Sequence, residues 1–556
     1  MTVSVARRIV LFVARTSTTV ASLVLSLTPI ALSAQNPPQP AAIAVSTRLV
    51  QVGVIARDKN GPVADLTKDD FVLLDRGKPQ KISVFSIESA QSASKPALPL
   101  PQNTFSDLPQ YGTSTPRSVT IVLLDNLNTL SGNGHEGYED GPEWMEDLAL
   151  ANGKAHLIEF IKNLDPKDRM AIYGLSETLH VLCDFTSDRD RLLGILKNYD
   201  PTSKTNREAA EPGNYHTPVP GKEFNDNMDA QALEFAAATN ERRAVQTMTA
   251  LQSIASHVAN IPGRKNLVWL TANLPFSGAA LAHILVPAQI AAYPVDARGL
   301  LPRAVPSSAS DVVARGSELS SVLGLDKSPA QTEQPIGVDT MEKIAEDTGG
   351  RAFANTNDIT SAIRKAVEDS AIIYSLGFYI DPHSADGKFH ELKIQVKREG
   401  LTIRYPRGYF ASDDSLPTKD QNWKTVVTAL QSPIESSVIP LQAKVDRVNE
   451  PLPNSLKVLC SIDIHNLRLA QTGNLRKGAV SVFVIQQDVV GKVLGQWTKT
   501  YDLQLSEKQY AALLNSGMPF TQNVQPKPTA TTLRVLVQDP ATAQIGTLII
   551  PLAQIK

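Results

Sequence analysis

The chain has 556 residues, room for three to four domains at about 150 residues each, and its 54 Lys+Arg against 56 Asp+Glu leave a net charge of −2. With 42% apolar and 20% charged residues it has the mix of a soluble globular protein. That argues against wholesale disorder, a polytopic membrane protein and a nucleic-acid binder, and two cysteines are too few for a disulfide framework or a Cys-rich zinc site.

Arg7, Arg8 and Arg15 precede an apolar run from Val20 to Ala34 that ends in small residues. This is the pattern of a secretory signal peptide over 1–34. The rival reading, a retained anchor, needs about 20 apolar residues, whereas this run is shorter and carries Pro29. A Pro-rich leader covers 35–46. Export permits a disulfide without requiring one; Cys183 and Cys460 each fall in a separate apolar stretch, which predicts two buried thiols.

Residues 47–88 read as strands: Val50, Val52, Val54 and Ala56 alternate, and Phe71–Leu74 and Ile82–Phe85 flank a turn at Asp75–Lys78. About 40 residues bury too little surface to stand alone, so these strands are expected to pair with 372–412. The Ser/Pro/Gln-rich stretch 89–117 reads as a linker. Between 118 and 371 strands alternate with helices. Val119–Leu124 is a continuous apolar run ending in Asp125, as in a strand buried on both faces. Helices are expected near 145–163, after Asp188, and over 229–260, 338–347 and 358–369; Leu267–Leu270 and Ile290–Val295 are further buried strands. Repeated βα units predict a doubly wound parallel sheet, inserted in a β-sandwich. After a second linker at 413–429, six alternating strands in 430–556 suggest an immunoglobulin- or fibronectin-like sandwich, with a helix opened by the capping pair Ser506 and Gln509.

The segments DKNGPVADLTKDDFVLLDRGKPQKISVF, IVLLDNLNT, DRMAIYGLSETLHVLCDFTSD, GRKNLVWLTANLPF, AAYPVDARGL, EDTGGRAFANTNDI and DGKFHELKIQVKREGLTIRYPRGYF, taken in order, resemble the acidobacterial-type VWFA-related domain proteins over roughly 45–412. The resemblance implies a von Willebrand factor type A (VWA) fold. In that superfamily recognition runs through a Mg²⁺ held by an Asp-x-Ser-x-Ser loop, a later Thr and an Asp after the fourth strand. Here Asp125 matches the leading carboxylate, Leu127 stands in place of the first Ser, and Thr129 replaces the second. Thr271-Ala272-Asn273 has no closing carboxylate; Asn126, Asn128 and Asn273 offer neutral oxygens, and Thr202, Ser203 or Thr205 the loop hydroxyl. Two readings stay open: a weak Mg²⁺ or Ca²⁺ site built from Asp125, Thr129, Asn273 and Thr202, or an empty one in which Asp125 caps the following backbone.

The acidic loop His135–Asp140 lacks EF-hand spacing. Asp296 and Arg298 either contact a ligand or form a local ion pair. Gly174-Leu175-Ser176-Glu177-Thr178 falls one residue short of a nucleophile elbow and leads into a hairpin. No H-E-x-x-H, C-x-x-C or phosphate loop occurs. The sequence therefore predicts a non-enzymatic exported protein, periplasmic, outer-envelope or extracellular, without a membrane span once the signal is cleaved. It would recognise an unidentified protein or envelope component through the rim of the α/β domain, with the long loops at 130–143, 199–225 and 301–335 tuning the choice. The alternatives are a structural envelope or assembly protein with no metal site and, more remotely, a metal-dependent hydrolase.

Overall fold

The chain begins with strands β1 (Arg48–Asp58), β2 (Gly61–Pro62), β3 (Phe71–Asp75), β4 (Lys78–Gln80), β5 (Val84–Ser89) and β6 (Thr104–Ser106). The middle part runs β7 (Val119–Asp125), α1 (Asn126–Thr129), α2 (Glu143–Lys162), β8 (Met170–Leu175), β9 (Leu179–Thr186), α3 (Arg189–Asn198), α4 (Lys222–His257), β10 (Lys265–Thr271), α5 (Gly278–Leu285), β11 (Ile290–Asp296), α6 (Val338–Thr348) and α7 (Ile359–Glu368). Strands return in β12 (Ile372–Ile380), β13 (Phe389–Val396), β14 (Thr402–Arg404) and β15 (Gly408–Phe410), followed by α8 (Lys419–Gln431). The last part holds β16 (Leu441–Val448), β17 (Ser455–Ile462), β18 (Ala470–Thr472), β19 (Leu475–Gln487), β20 (Val493–Ser506), α9 (Glu507–Ser516), β21 (Met518–Val524), β22 (Thr532–Gln538) and β23 (Ile545–Pro551). The computed structural model describes residues 48–89, 99–108, 119–129, 143–165, 168–200, 222–261, 263–272, 274, 278–299, 337–380, 386–411, 416–450 and 452–556. All belong to one unit, Ser46–Lys556. They make a mixed α/β protein dominated by strands. Among them, no helix is long and apolar enough to cross a membrane.

The early strands find their partners late in the chain. β1 lies antiparallel to β12 in the register Val52↔Leu376 and Val54↔Tyr374, and β3 pairs with β13 through Leu73↔Ile394. Two sheets, β14-β1-β12-β5 and β15-β13-β3-β4, share a core that includes Val54, Leu73, Leu376, Phe378 and Ile394. Alternation is clean in β13, where His390, Leu392 and Ile394 face in and their neighbours face out. The turn Asp75–Lys78 closes a hairpin on β4 rather than on Ile82–Phe85. The chain then crosses sheets, and β5 joins β12.

The middle sheet has the order β11-β10-β7-β8-β9, parallel except for the antiparallel edge strand β9. Period two divides β7 between two cores. Ile121 and Leu123 meet α4 and α5 through Leu251, Ile254 and Leu281, while Val122 and Leu124 meet α2 and α7 through Leu157, Ile161 and Ile363. In α7 the spacing Ile359, Ala362, Ile363, Ala366 gives one apolar stripe, and Asp358 caps its amino end through Ser361 N–H at 3.1 Å.

Two segments read as linkers are built into the last pair of sheets. Within 89–117, β6 pairs with β16 (Thr104↔Lys444). Within 413–429, α8 begins at a Thr418–Gln421 capping box and buries Val426 against Leu536 and Ile545. Local composition hid both, because their partners lie more than a hundred residues away. The sheets β21-β17-β16-β6 and β18-β19-β22-β23, the second extended by β20 on β19, enclose Val458, Cys460, Val482 and Val535. Cys183 and Cys460 are both free and buried.

Candidate functional site

From β7 the chain moves to β8 and β9 on one side, then returns to β10 and β11 on the other. The direction of winding reverses between β7 and β10, and the crevice outside their carboxyl ends is where ligands bind in open sheets of this kind. Asp125 ends β7 and Thr271 ends β10.

Asp125 is fully buried. Its Oδ1 accepts the backbone N–H of Asn128 at 3.0 Å, and its Oδ2 accepts the Asn128 side-chain amide and the Trp269 indole N–H, each at 2.8 Å. The Thr271 hydroxyl bonds the same carboxylate. An ionised carboxyl offers about four lone-pair sites, and four donors fill them. Burial pushes the Asp125 pKa up; the bonds from Asn128, Trp269 and Thr271 pull it back, and the balance stays above the ordinary value.

The flanking residues extend this network. The Asn128 amide also donates to Thr247 Oγ1 on α4 at 2.9 Å, and the Asn126 amide donates to the Tyr199 phenol at 2.7 Å. Burial holds the Tyr199 pKa up at about 12. Three oxygens, Asn126 Oδ1, Asn128 Oδ1 and Thr129 Oγ1, are buried with no hydrogen-bond partner among the described residues. Leu127, where the resemblance wants a serine, is wholly buried and packs into the apolar core with Leu175 and Trp269.

Asp125 and Thr129 thus share one turn at the crevice. Asn273 and Thr202 lie outside the described residues, as do Ser203, Thr205 and the loop 135–140. Among the described residues no group of three or more His, Cys, Asp or Glu side chains is placed to hold a metal ion. A tightly held divalent cation needs several charged oxygens free to ligate. Among the described residues the donor set, one saturated carboxylate and three neutral oxygens, does not fit that requirement.

Asp296 and Arg298 at the end of β11 form a local, two-pronged ion pair: Nε to Oδ1 at 2.9 Å and Nη2 to Oδ2 at 2.9 Å, with the Arg298 backbone N–H on Oδ1 at 3.0 Å. Ser176 Oγ lies 2.9 Å from His180 Nε2 across the β8–β9 turn, and the Ser176 N–H is spent on Thr178 O, so the pair braces a hairpin. His390, fully buried, bridges the Tyr409 hydroxyl (2.9 Å) and Asp386 (3.0 Å).

Sequence reasoning missed Trp269, Thr247 and Tyr199. The available signal was a tryptophan inside a strand buried on both faces: its indole N–H needs an acceptor, and the acidic end of the neighbouring strand supplies one.

No family model matches the chain, and no curated protein does. Similar solved structures include BatB from Bacteroides thetaiotaomicron, 13% identical over 46% of this chain and 98% of that one, with a TM-score of 0.25. The vWF domain of the type V pili tip protein Mfa5 from Porphyromonas gingivalis is 15% identical over 28% of this chain and 38% of that one, TM-score 0.16. The pilus adhesin SpaC from Lactobacillus rhamnosus GG is 10% identical over 89% of this chain and 58% of that one, TM-score 0.24.

Proposed function

We propose that the chain is an exported recognition protein of VWA kind, non-enzymatic, which contacts another protein or an envelope component through the carboxyl rim of its parallel sheet. The observation that carries this is the reversal of winding between β7 and β10, with an antiparallel edge strand β9. It brings the carboxyl ends of β7, β8, β10 and β11 to one rim of a rigid scaffold, and the long loops at 130–143, 199–225 and 301–335 would contact the partner from there, the arrangement binding loops favour. Export rests on the amino-terminal charge and apolar pattern. The cation is dispensable to this function: a weak Mg²⁺ or Ca²⁺ site through Asp125, Thr129, Asn273 and Thr202 is the most the donor set supports. The saturated Asp125 also favours a second reading, a structural assembly protein in which the α/β part is a spacer.

Two measurements separate these. Calorimetric titration with Mg²⁺, Mn²⁺ and Ca²⁺ is expected to show no binding tighter than the millimolar range, and no change in Thr129→Val. Micromolar binding lost in Thr129→Val would overturn the dispensable ion. Capture from envelope extract should be insensitive to chelator and lost when 130–142 is replaced by a Gly/Ser linker of equal length. Capture that survives the replacement would defeat the rim reading, and no capture by the parent would favour the spacer.

A further inference from the structure

The parallel sheet extends one bridge beyond β11. Phe353 pairs in parallel with Val295; its N–H donates to Pro294 O at 2.9 Å, and its carbonyl accepts from Asp296 N–H at 2.8 Å. Both backbone groups of Phe353 therefore face β11. Successive residues of an extended strand alternate in direction, so the N–H and C=O groups of Ala352 and Ala354 face the opposite way. They have no backbone partner among the described residues. They open on a cleft of about 450 Å³ flanked by α6 and α7, a size ordinary for ligand sites.

The floor of the cleft is apolar and buried: Val338 from α6, the Phe353 ring and Ala362 from α7. Its rim is charged and exposed, with Glu342 and Asp358 against Arg351 and Lys365. The Arg351 guanidinium lies 5.2 Å from the centre of the Phe353 ring, which holds that charge at the mouth. Two acids against two bases disfavour a polyanion such as nucleic acid. A strand edge with only alanine methyls above it lets another backbone approach closely.

We propose that this cleft takes an extended peptide segment of a partner polypeptide as an added strand. Its backbone would pair with Ala352 and Ala354, small apolar side chains would face Phe353, and alternating charged side chains would meet the rim. Strand addition gives affinity through main-chain bonds and specificity through alternate side chains. The site is at the sheet's edge and does not depend on the rim reading.

The test pans the immobilised full chain against a soluble library of random heptapeptides, then titrates the enriched peptides by fluorescence anisotropy. Enriched sequences should carry charged residues at alternate positions. Methylating the amide nitrogens of one edge of a bound peptide should weaken it about tenfold or more, since each lost main-chain bond is worth about one power of ten at most. The exposed double substitution Arg351→Glu and Lys365→Glu, with an unchanged melting curve, should shift enrichment from acidic to basic residues. No enrichment over a bare-resin control, equal binding of the methylated peptide, or the same sequences enriched on the double variant would each overturn the proposal. Loss of envelope capture on replacing 130–142 would leave it untouched, because that replacement reports on the other surface.

Discussion

At the residue scale, the chemistry of the crevice is set by how many donors surround one carboxylate. Hydrogen bonds offset part of the cost of burying the Asp125 carboxylate, and they make it a latch joining β7, α1 and β10. Trp269→Phe removes the 2.8 Å bond to Oδ2 and also shortens a fully buried ring system, so a cavity term adds to the lost bond. It is expected to cost at least about 1.5–3 kcal/mol, the range for a bond to a charged group, read from the urea midpoint. Thr129→Val should be neutral or slightly stabilising in the same assay, because the hydroxyl it removes has no partner among the described residues. A loss above about 1.5 kcal/mol would mean that the hydroxyl is engaged. Arg534 poses a similar question elsewhere. It is buried, its guanidinium donates to the carbonyls of Ala429 (2.6 Å), Leu430 (2.9 Å) and Ser432 (2.9 Å), and burial lowers its pKa to about 10. Arg534→Met strands those carbonyls at the end of α8 and should cost about 2–4 kcal/mol.

At the scale of elements, the carboxyl end of α4 is held against the segment before β16. Ser437 Oγ donates to His257 O at 2.7 Å, and the Ser437 N–H donates to Ser256 O at 3.0 Å. His257 Nδ1 lies 2.9 Å from the Glu435 carbonyl, and Nε2 lies 3.5 Å from Asp184 Oδ1. A carbonyl and a carboxylate only accept, so this geometry suits the doubly protonated ring. Burial alone would lower the His257 pKa, but the Asp184 carboxylate and the Glu435 carbonyl outweigh it and hold the pKa above its usual value. With a raised folded pKa, the contribution to stability is complete below about 6.5, the unfolded value, and is lost as pH rises through the folded value. Melting temperature should therefore fall on raising the pH from about 6 to 8 more steeply in the parent than in His257→Gln. Parallel curves would remove His257 as the cause.

At the scale of the whole molecule, sequence order and spatial order disagree by design of the topology. The strands at 48–89 close a core with 372–410, and β6 from the segment at 99–108 completes the sheet of β16 and β17. The carboxyl-terminal part is therefore not self-contained. Asn103 Nδ2 donates to Lys556 O at 3.2 Å, and Leu441 N–H donates to Asp107 at 2.6 Å, tying the same segment to both ends of that part. A fragment spanning 418–556 should aggregate or melt lower than one joined by a short linker to 99–108, since the missing strand leaves β16 an open edge. Equal melting temperatures and equal solubility of the two fragments would refute this.

The alternation in β13, the continuous apolar runs of β7, β10 and β11, the helix at α7 and the capping pair at Ser506 are legible in the sequence, because period and capping act over a few residues; the capping box at Thr418 lies inside a segment that reads as a linker. What Asp125 does was not legible: a carboxylate after a buried strand reads alike whether it meets a cation or four donors. The difference is made by Trp269 and Thr271, nearly 150 positions away, brought alongside only by the register of β7 with β10. The linker reading of 89–117 fails for the same reason, since three residues of strand carry no local signal and gain their hydrogen bonds from β16. Short-range patterning fixed which residues are apolar, paired or capped within one element. Long-range pairing decided which polar groups meet, because that depends on register, and register is a property of the folded sheet.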